Sequence, residues 1–329
     1  MNASNAALRA LPQAGAYAAN PVLDTDLTLA LAIASRAAYD YYQDPTQPVV
    51  APDGYRMVDS WTGWDAIALT GAVEIFGVVF QSLTEPGTCI FAFRGTDSDL
   101  DAWEDVHFIP TDFAPTHNSL SPEPWVSSGF YGIYDGSGGG MAASMRQQLF
   151  ALLAKYRPTQ LYITGHSLGA ALSQLFSLDV AVSQPTPALN INFASPMVGT
   201  DSWASAYAAW IDASQSIRVY NYWDYVPSMP PSAFDYRAVG TGFRTSFYVD
   251  KEWFPHLLAR HALLNLTVVL DNALPASPQQ WQGTFPDQVA GETQWTMIST
   301  YPPAGADVRW ADQAQALMKT EAAAAIKPV

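Results

Sequence analysis

Residues 161–171 read LYITGHSLGAA, and they limit the fold of this chain more than any other stretch. Leu161, Tyr162, Ile163 and Thr164 favour a strand, whereas Leu168, Ala171, Leu172 and Leu175 recur at helical spacing. Between them, Gly165-His166-Ser167-Leu168-Gly169 leaves room only for a tight turn with Ser167 at its apex. Gly165 and Gly169 lack the bulk that would keep strand and helix apart, so the serine is held in a cramped conformation and its hydroxyl is presented at the sheet edge. The following helix aims free N–H groups forward, where they can hold the charge that develops on an attacked carbonyl oxygen. Two glycines around a serine also arise by coincidence, but the β-branched strand before this serine and the helix after it argue for a nucleophile.

Composition narrows the remaining classes. With 329 residues and 49% hydrophobic side chains the chain can build a large core, and residues 1–329 read as a single domain. Its formal net charge of −15 argues against nucleic acid and against charge-driven binding to anionic membranes. The single cysteine, Cys89, lies in the apolar run TCIFAF, reads as core packing, and leaves no internal disulfide or cysteine-based zinc site. No run approaches 18 apolar residues and no export signal is visible. These features describe a soluble chain, cytoplasmic or secreted with its signal already removed.

Taken in order, residues 1–20 read as a loose arm, and a packing helix starts at Asp24 or Thr25 and ends before Pro45. Residues 47–62 are punctuated by Pro, Asp and Gly, and residues 73–81 and 88–93 read as hairpin strands joined at Glu85-Pro86-Gly87. Residues 126–134 are short and aromatic. The glycine run at 135–140 lacks the Lys-Ser/Thr of a phosphate loop and reads as a hinge into a helix over 141–156. After the serine turn come a helix to Val182, a strand at 190–194, a helix near 202–211 and a strand at 216–220. Alternating strands and helices predict a mainly parallel central sheet flanked by helices.

A serine at such a turn needs a histidine to take its proton and a carboxylate to orient that histidine, following in the order Ser, Asp, His. Asp224, on the loop leaving the strand 216–220, is the candidate acid; Asp201 and Asp212 belong to the helix region and Asp235 lies farther into a Pro-rich loop. Only His256 and His261 lie downstream, and spacing alone favours neither. Thr96, just past a strand end and Gly95, is the candidate second oxyanion donor. Leu100, Trp103, Val106 and Ile109 share one side of a short amphipathic helix beside it, opposite Asp101, Glu104 and Asp105, as in a lid over a lipid-binding site.

Together, Phe93-Arg94-Gly95-Thr96, residues 103–110, Ser128-Gly129-Phe130, residues 165–172, residues 194–199 and residues 221–227 resemble the class 3 lipase family, which has the α/β-hydrolase fold and includes the fungal triacylglycerol lipases. The resemblance covers roughly residues 24–270. It implies Ser167 as nucleophile, Asp224 as acid, the Leu168 N–H with Thr96 as oxyanion hole and a lid over 98–108. His261-Ala-Leu-Leu-Asn265 fits the family's histidine helix, with Leu266 in place of a usual Tyr, which favours His261 and leaves His256 as runner-up. Met197 stands where the family often has Arg. The fungal disulfides have no counterpart here, which points to a bacterial-type or intracellular relative.

The expected activity is therefore carboxylester hydrolysis, most simply of acylglycerols, with no metal or cofactor and with a lipid or other ester as the partner molecule. A phospholipase A1, a feruloyl-type esterase and a non-catalytic ligand-binding or signalling module on the same fold are the alternatives. Residues 271–329 fall outside the resemblance and read as an extension packed on the core, with a helix near 307–326.

Overall fold

Asp24 caps the first helix, α1 (Thr25–Gln43): its carboxylate accepts the Leu27 N–H at 3.0 Å and satisfies one of the donors that the first turn leaves over. The structure, a computed structural model, describes residues 23–65, 71–96, 108–184, 186–221, 224, 226–230, 235–245, 247–249, 260–273, 282–285 and 295–299. Along α1, Leu31, Ala32, Ala34, Ser35, Ala37 and Ala38 form the buried face. The small side chains let this helix lie close on the sheet.

Three strands follow: β1 (Tyr55–Trp64), β2 (Val73–Ser82) and β3 (Thr88–Phe93). The expected hairpin of β2 and β3 forms, with the Thr88 N–H bonded to the Glu85 carbonyl at 2.8 Å. Strand β1 corrects the reading of 47–62 as a merely punctuated segment. It pairs along β2, but its register shifts between Met57 and Asp59 and again between Trp61 and Thr62. Each shift moves side chains across the pleat, so the period-two pattern that signals a strand is lost although the pairing persists.

The chain continues with β4 (Pro110–Asp112), β5 (Trp125–Ser127), α2 (Ser128–Asp135), α3 (Met145–Tyr156), β6 (Gln160–Gly165), α4 (Leu168–Ser183), β7 (Ala188–Phe193), β8 (Gly199–Thr200), α5 (Asp201–Trp210) and β9 (Ser216–Asn221). It ends with β10 (Tyr236–Arg237), β11 (Thr241–Thr245), β12 (Phe247–Val249), α6 (Leu263–Ala273), β13 (Gln282–Phe285) and β14 (Trp295–Ser299). The aromatic segment 126–134 thus divides into β5 and α2 at Ser127, whose hydroxyl caps the helix. Helix α3 starts at Met145 rather than 141, because Ser144 and Gln147 form a reciprocal capping box there.

The central sheet has the order β1-β2-β3-β6-β7-β9-β11. Pairing is antiparallel from β1 to β3 and parallel from β3 to β11. Both faces are covered, as a parallel sheet requires. Along β3, Cys89, Phe91 and Phe93 join the core under α2, α3 and α4, whereas Ile90 and Ala92 join the core under α1 and α6. Burial pushes the Cys89 thiol up to about 11, in keeping with a packing role. Two smaller sheets are present, β10-β8-β5-β4, whose strands are interleaved in sequence with those of the central sheet, and β12-β14-β13, whose strands follow it. The second joins strands beyond residue 271 to β12, while the arm at 1–20 and the helix expected near 307–326 lie outside the described residues. Among the described residues, no helix is long and apolar enough to cross a membrane.

Candidate active site

Ser167 stands between β6 and α4 with φ 60° and ψ −126°, a conformation that costs a non-glycine residue on the order of 1–3 kcal/mol. The surroundings enforce it. A Cβ on Gly165 would strike the Gly169 carbonyl, and one on Gly169 would strike the carbonyls of Phe93 and Arg94, so the crossing of β6, α4 and the end of β3 closes only with glycine at both positions. The Ser167 N–H is tied to the Phe193 carbonyl of the adjacent strand at 3.0 Å. Strain at the serine is thus held by backbone on three sides.

Two loops bring its partners. His261, just ahead of α6, places Nε2 2.7 Å from Ser167 Oγ and Nδ1 2.7 Å from Asp224 Oδ2. The other Asp224 oxygen accepts the Val226 N–H at 3.0 Å. All three side chains are buried. Burial pushes the Asp224 carboxyl above the ordinary aspartate range, against the opposing pull of His261, the Val226 N–H and the Arg260 charge. The competing carboxylates are engaged elsewhere: Asp201 pairs with Arg237 at 2.8 Å, and Asp212 takes the Ser214 N–H and hydroxyl at 2.9 and 2.6 Å. The more distant Asp235 is exposed. His256 lies outside the described residues.

The turn carbonyls of His166 and Ser167 accept the Gly169 and Ala170 N–H groups, at 2.9 Å each, but among the described residues none of the turn's hydrogen bonds uses the Leu168 N–H. Thr96 is half-buried and follows Gly95, where an added Cβ would run into Ser167 Cβ at 2.9 Å. Arg94 fixes this corner. Its guanidinium lies 3.7 Å from the centroid of the Tyr42 ring, pairs with Glu74, and donates to the Ile75 and Gly95 carbonyls at 2.6 and 2.8 Å. With the Gly95 carbonyl turned to Arg94, the planar peptide directs the Thr96 N–H to the opposite side.

Of the lid positions, Leu100, Trp103 and Val106 lie outside the described residues. Ile109 is 66% exposed, directly after Phe108, which is buried against Phe130 and Tyr236. Among the described residues, no cluster of His, Cys, Asp or Glu has the makings of a metal site.

Three neighbours of the site were not singled out from sequence. His166 Nδ1 is 2.9 Å from Tyr39 Oη, and its Nε2 is 2.9 Å from the His261 carbonyl oxygen. Asn221 donates to the Arg260 carbonyl at 3.1 Å. His166 sits inside the serine motif, yet Tyr39 is 127 residues away on a helix whose pattern signals only packing.

Residues 90–234 match the family described as lipase (class 3). The chain is 30% identical over 243 residues to phospholipase A1-II 3 of Oryza sativa subsp. japonica, covering 68% of this chain and 51% of that protein. It is 28% identical over 224 residues to phospholipase A1-II 7 of Oryza sativa subsp. indica, covering 60% and 53% respectively. The chain therefore spans about half the length of the curated relatives it matches. In three dimensions it resembles the lipase of Rhizopus microsporus var. chinensis, with a TM-score of 0.53, 22% identity, and coverage of 71% of this chain and 81% of that one. That likeness carries the α/β-hydrolase fold. With this fold, the strained serine at its strand-to-helix turn and the family match across the heart of the sheet, the chain belongs to the class 3 lipase family.

Proposed function

We propose that this chain is a serine carboxylester hydrolase that cleaves lipid esters through an acyl-enzyme. The observation that carries the proposal is the hydrogen-bonded series Ser167–His261–Asp224, 2.7 Å at each link, with the serine held at positive φ. His261 Nε2 takes the Ser167 hydroxyl proton as Oγ attacks the ester carbonyl carbon, and Asp224 stabilises the imidazolium. The oxyanion lies between the Leu168 N–H and Thr96, a donor pair of which each member is worth about 100- to 1,000-fold in kcat. Collapse expels the alcohol, which leaves with the proton from His261. Water, deprotonated by the same imidazole, then releases the acid and restores Ser167.

Acylglycerols are proposed as a substrate class from membership of the class 3 lipase family, and the plant relatives named as phospholipases A1 support phospholipid as a second. Contact with a lipid surface belongs to the same proposal, and the exposed Ile109 beside the expected lid favours it. Replacing Ser167 with Ala should abolish p-nitrophenyl butyrate hydrolysis and organophosphonate labelling while the circular dichroism of the fold is retained. Undiminished turnover by that variant would refute the mechanism. Triolein against phosphatidylcholine, with the released acyl position identified, separates the two substrate classes.

A further inference from the structure

We propose that His166, locked in one tautomer by Tyr39, and Asn221 are positioning residues that clamp the two successive carbonyls at Arg260 and His261 and thereby aim the general base. The inference rests on His261 being that base. A base must stay within about 0.5 Å of its productive position. The hydrogen bonds to Ser167 and Asp224 hold the tip of the imidazole, but its root moves with the backbone of residues 260–261. That backbone is held by Asn221 Nδ2 on the Arg260 carbonyl at 3.1 Å and by His166 Nε2 on the His261 carbonyl at 2.9 Å.

The origin of the two donors is the telling feature. His166 immediately precedes Ser167 at the end of β6, and Asn221 ends β9 three residues before Asp224. The base is thus referenced to its nucleophile and its acid through the same strand ends that carry them.

The tautomer follows from the partners. A carbonyl oxygen only accepts, so His166 Nε2 carries the proton; Nδ1 of the neutral ring then accepts, and Tyr39 Oη donates. Burial, reinforced by nearby His261, holds the His166 pKa well below its ordinary value and keeps the ring neutral. This matters because the two imidazoles lie tilted at 39° to each other with centroids 4.7 Å apart, and a charged His166 would oppose the imidazolium that His261 must form.

Helix α1 is docked to deliver this hydroxyl. Ser35 meets Thr164 at 3.0 Å and Tyr39 meets His166 at 2.9 Å, so residues four apart on the helix engage residues two apart on one side of the strand end. A Cβ on Gly95 would clash with Tyr39 Oη, so the glycine leaves room for this hydroxyl beside His166.

The test compares Tyr39→Phe, Asn221→Ala, His166→Leu and His166→Gln with the parent on p-nitrophenyl butyrate, normalised by organophosphonate titration of active sites. Losing one hydrogen bond should lower kcat about threefold to tenfold in Tyr39→Phe and Asn221→Ala, with KM unchanged. His166→Leu should lose about a hundredfold, the scale of a 1 Å misplacement, and His166→Gln should recover part of it by restoring an N–H donor. Unchanged kcat per titrated site, or equal loss in the Leu and Gln variants, overturns the clamp. A second readout stands apart from catalysis: the far-downfield proton resonance of the His261–Asp224 hydrogen bond should shift or broaden in Tyr39→Phe and His166→Leu. If the parent hydrolyses no ester, the proposed function fails, while an unperturbed resonance would overturn the clamp by itself.

Discussion

Replacing Asp224 with Asn tests the acid through its hydrogen-bond inventory. Both carboxylate oxygens accept: Oδ2 faces His261 Nδ1 at 2.7 Å and Oδ1 takes the Val226 N–H at 3.0 Å. An amide has one acceptor and one donor side, so it can satisfy only one of these N–H groups. The Val226 N–H is a fixed donor, whereas the imidazole can shift its proton. The amide oxygen therefore turns to Val226, its NH2 donates to Nδ1, and the His261 proton moves to Nε2, facing Ser167 Oγ. The base then has no lone pair for the serine proton, and kcat should fall about 10⁴-fold, close to 5.5 kcal/mol of barrier.

The fold should tolerate this change. Because burial raises the Asp224 pKa above 3.8, this group favours the fold most at low pH, and that contribution is lost as pH rises through its folded pKa. The amide of the Asp224→Asn variant carries no charge to bury, which offsets the lost acceptor, so the melting temperature at pH 7 should stay within about 3 °C of the parent. Initial rates on p-nitrophenyl butyrate and a thermal melt check both parts. More than a tenth of the parental kcat in a correctly folded variant would refute the tautomer argument.

Two further outcomes follow from the same framework. Gly169→Ala should push a methyl into the carbonyls at the end of β3 and cost on the order of 1–3 kcal/mol, read as a lowered urea midpoint together with lost activity. For His166, whose folded pKa lies below 6.5, the stability contribution is complete above that value and is lost as pH falls below it; the melting temperature of His166→Gln should fall less than that of the parent between pH 7 and pH 5.

Much of the site was legible because its constraints are local. Gly165, Ser167 and Gly169 lie within one turn, and a backbone that must cross another backbone at such close range dictates its residues directly. Asp224 was legible from the strand before it, and the structure engages Asp201 and Asp212 elsewhere. The preference for His261 over His256 came only from family resemblance, since both fall in one short segment; the structure places His261 2.7 Å from Ser167 Oγ, and His256 lies outside the described residues. Strand β1 was hidden for the opposite reason, as two register shifts erase its alternation while leaving its pairing intact.

The sequence by itself determined the strand-turn-helix around Ser167, the alternation that makes the sheet mainly parallel and the order in which Ser167, Asp224 and His261, the proposed nucleophile, acid and base, follow one another. The tertiary structure decided which groups stand behind them. Tyr39 reaches His166 across 127 residues, and Asn221 grips a carbonyl 39 residues on, contacts that leave no periodicity or motif in the chain. They exist because β6 and β9 end at the same edge of one sheet and α1 packs across it, a relation that forms only when the sheet does.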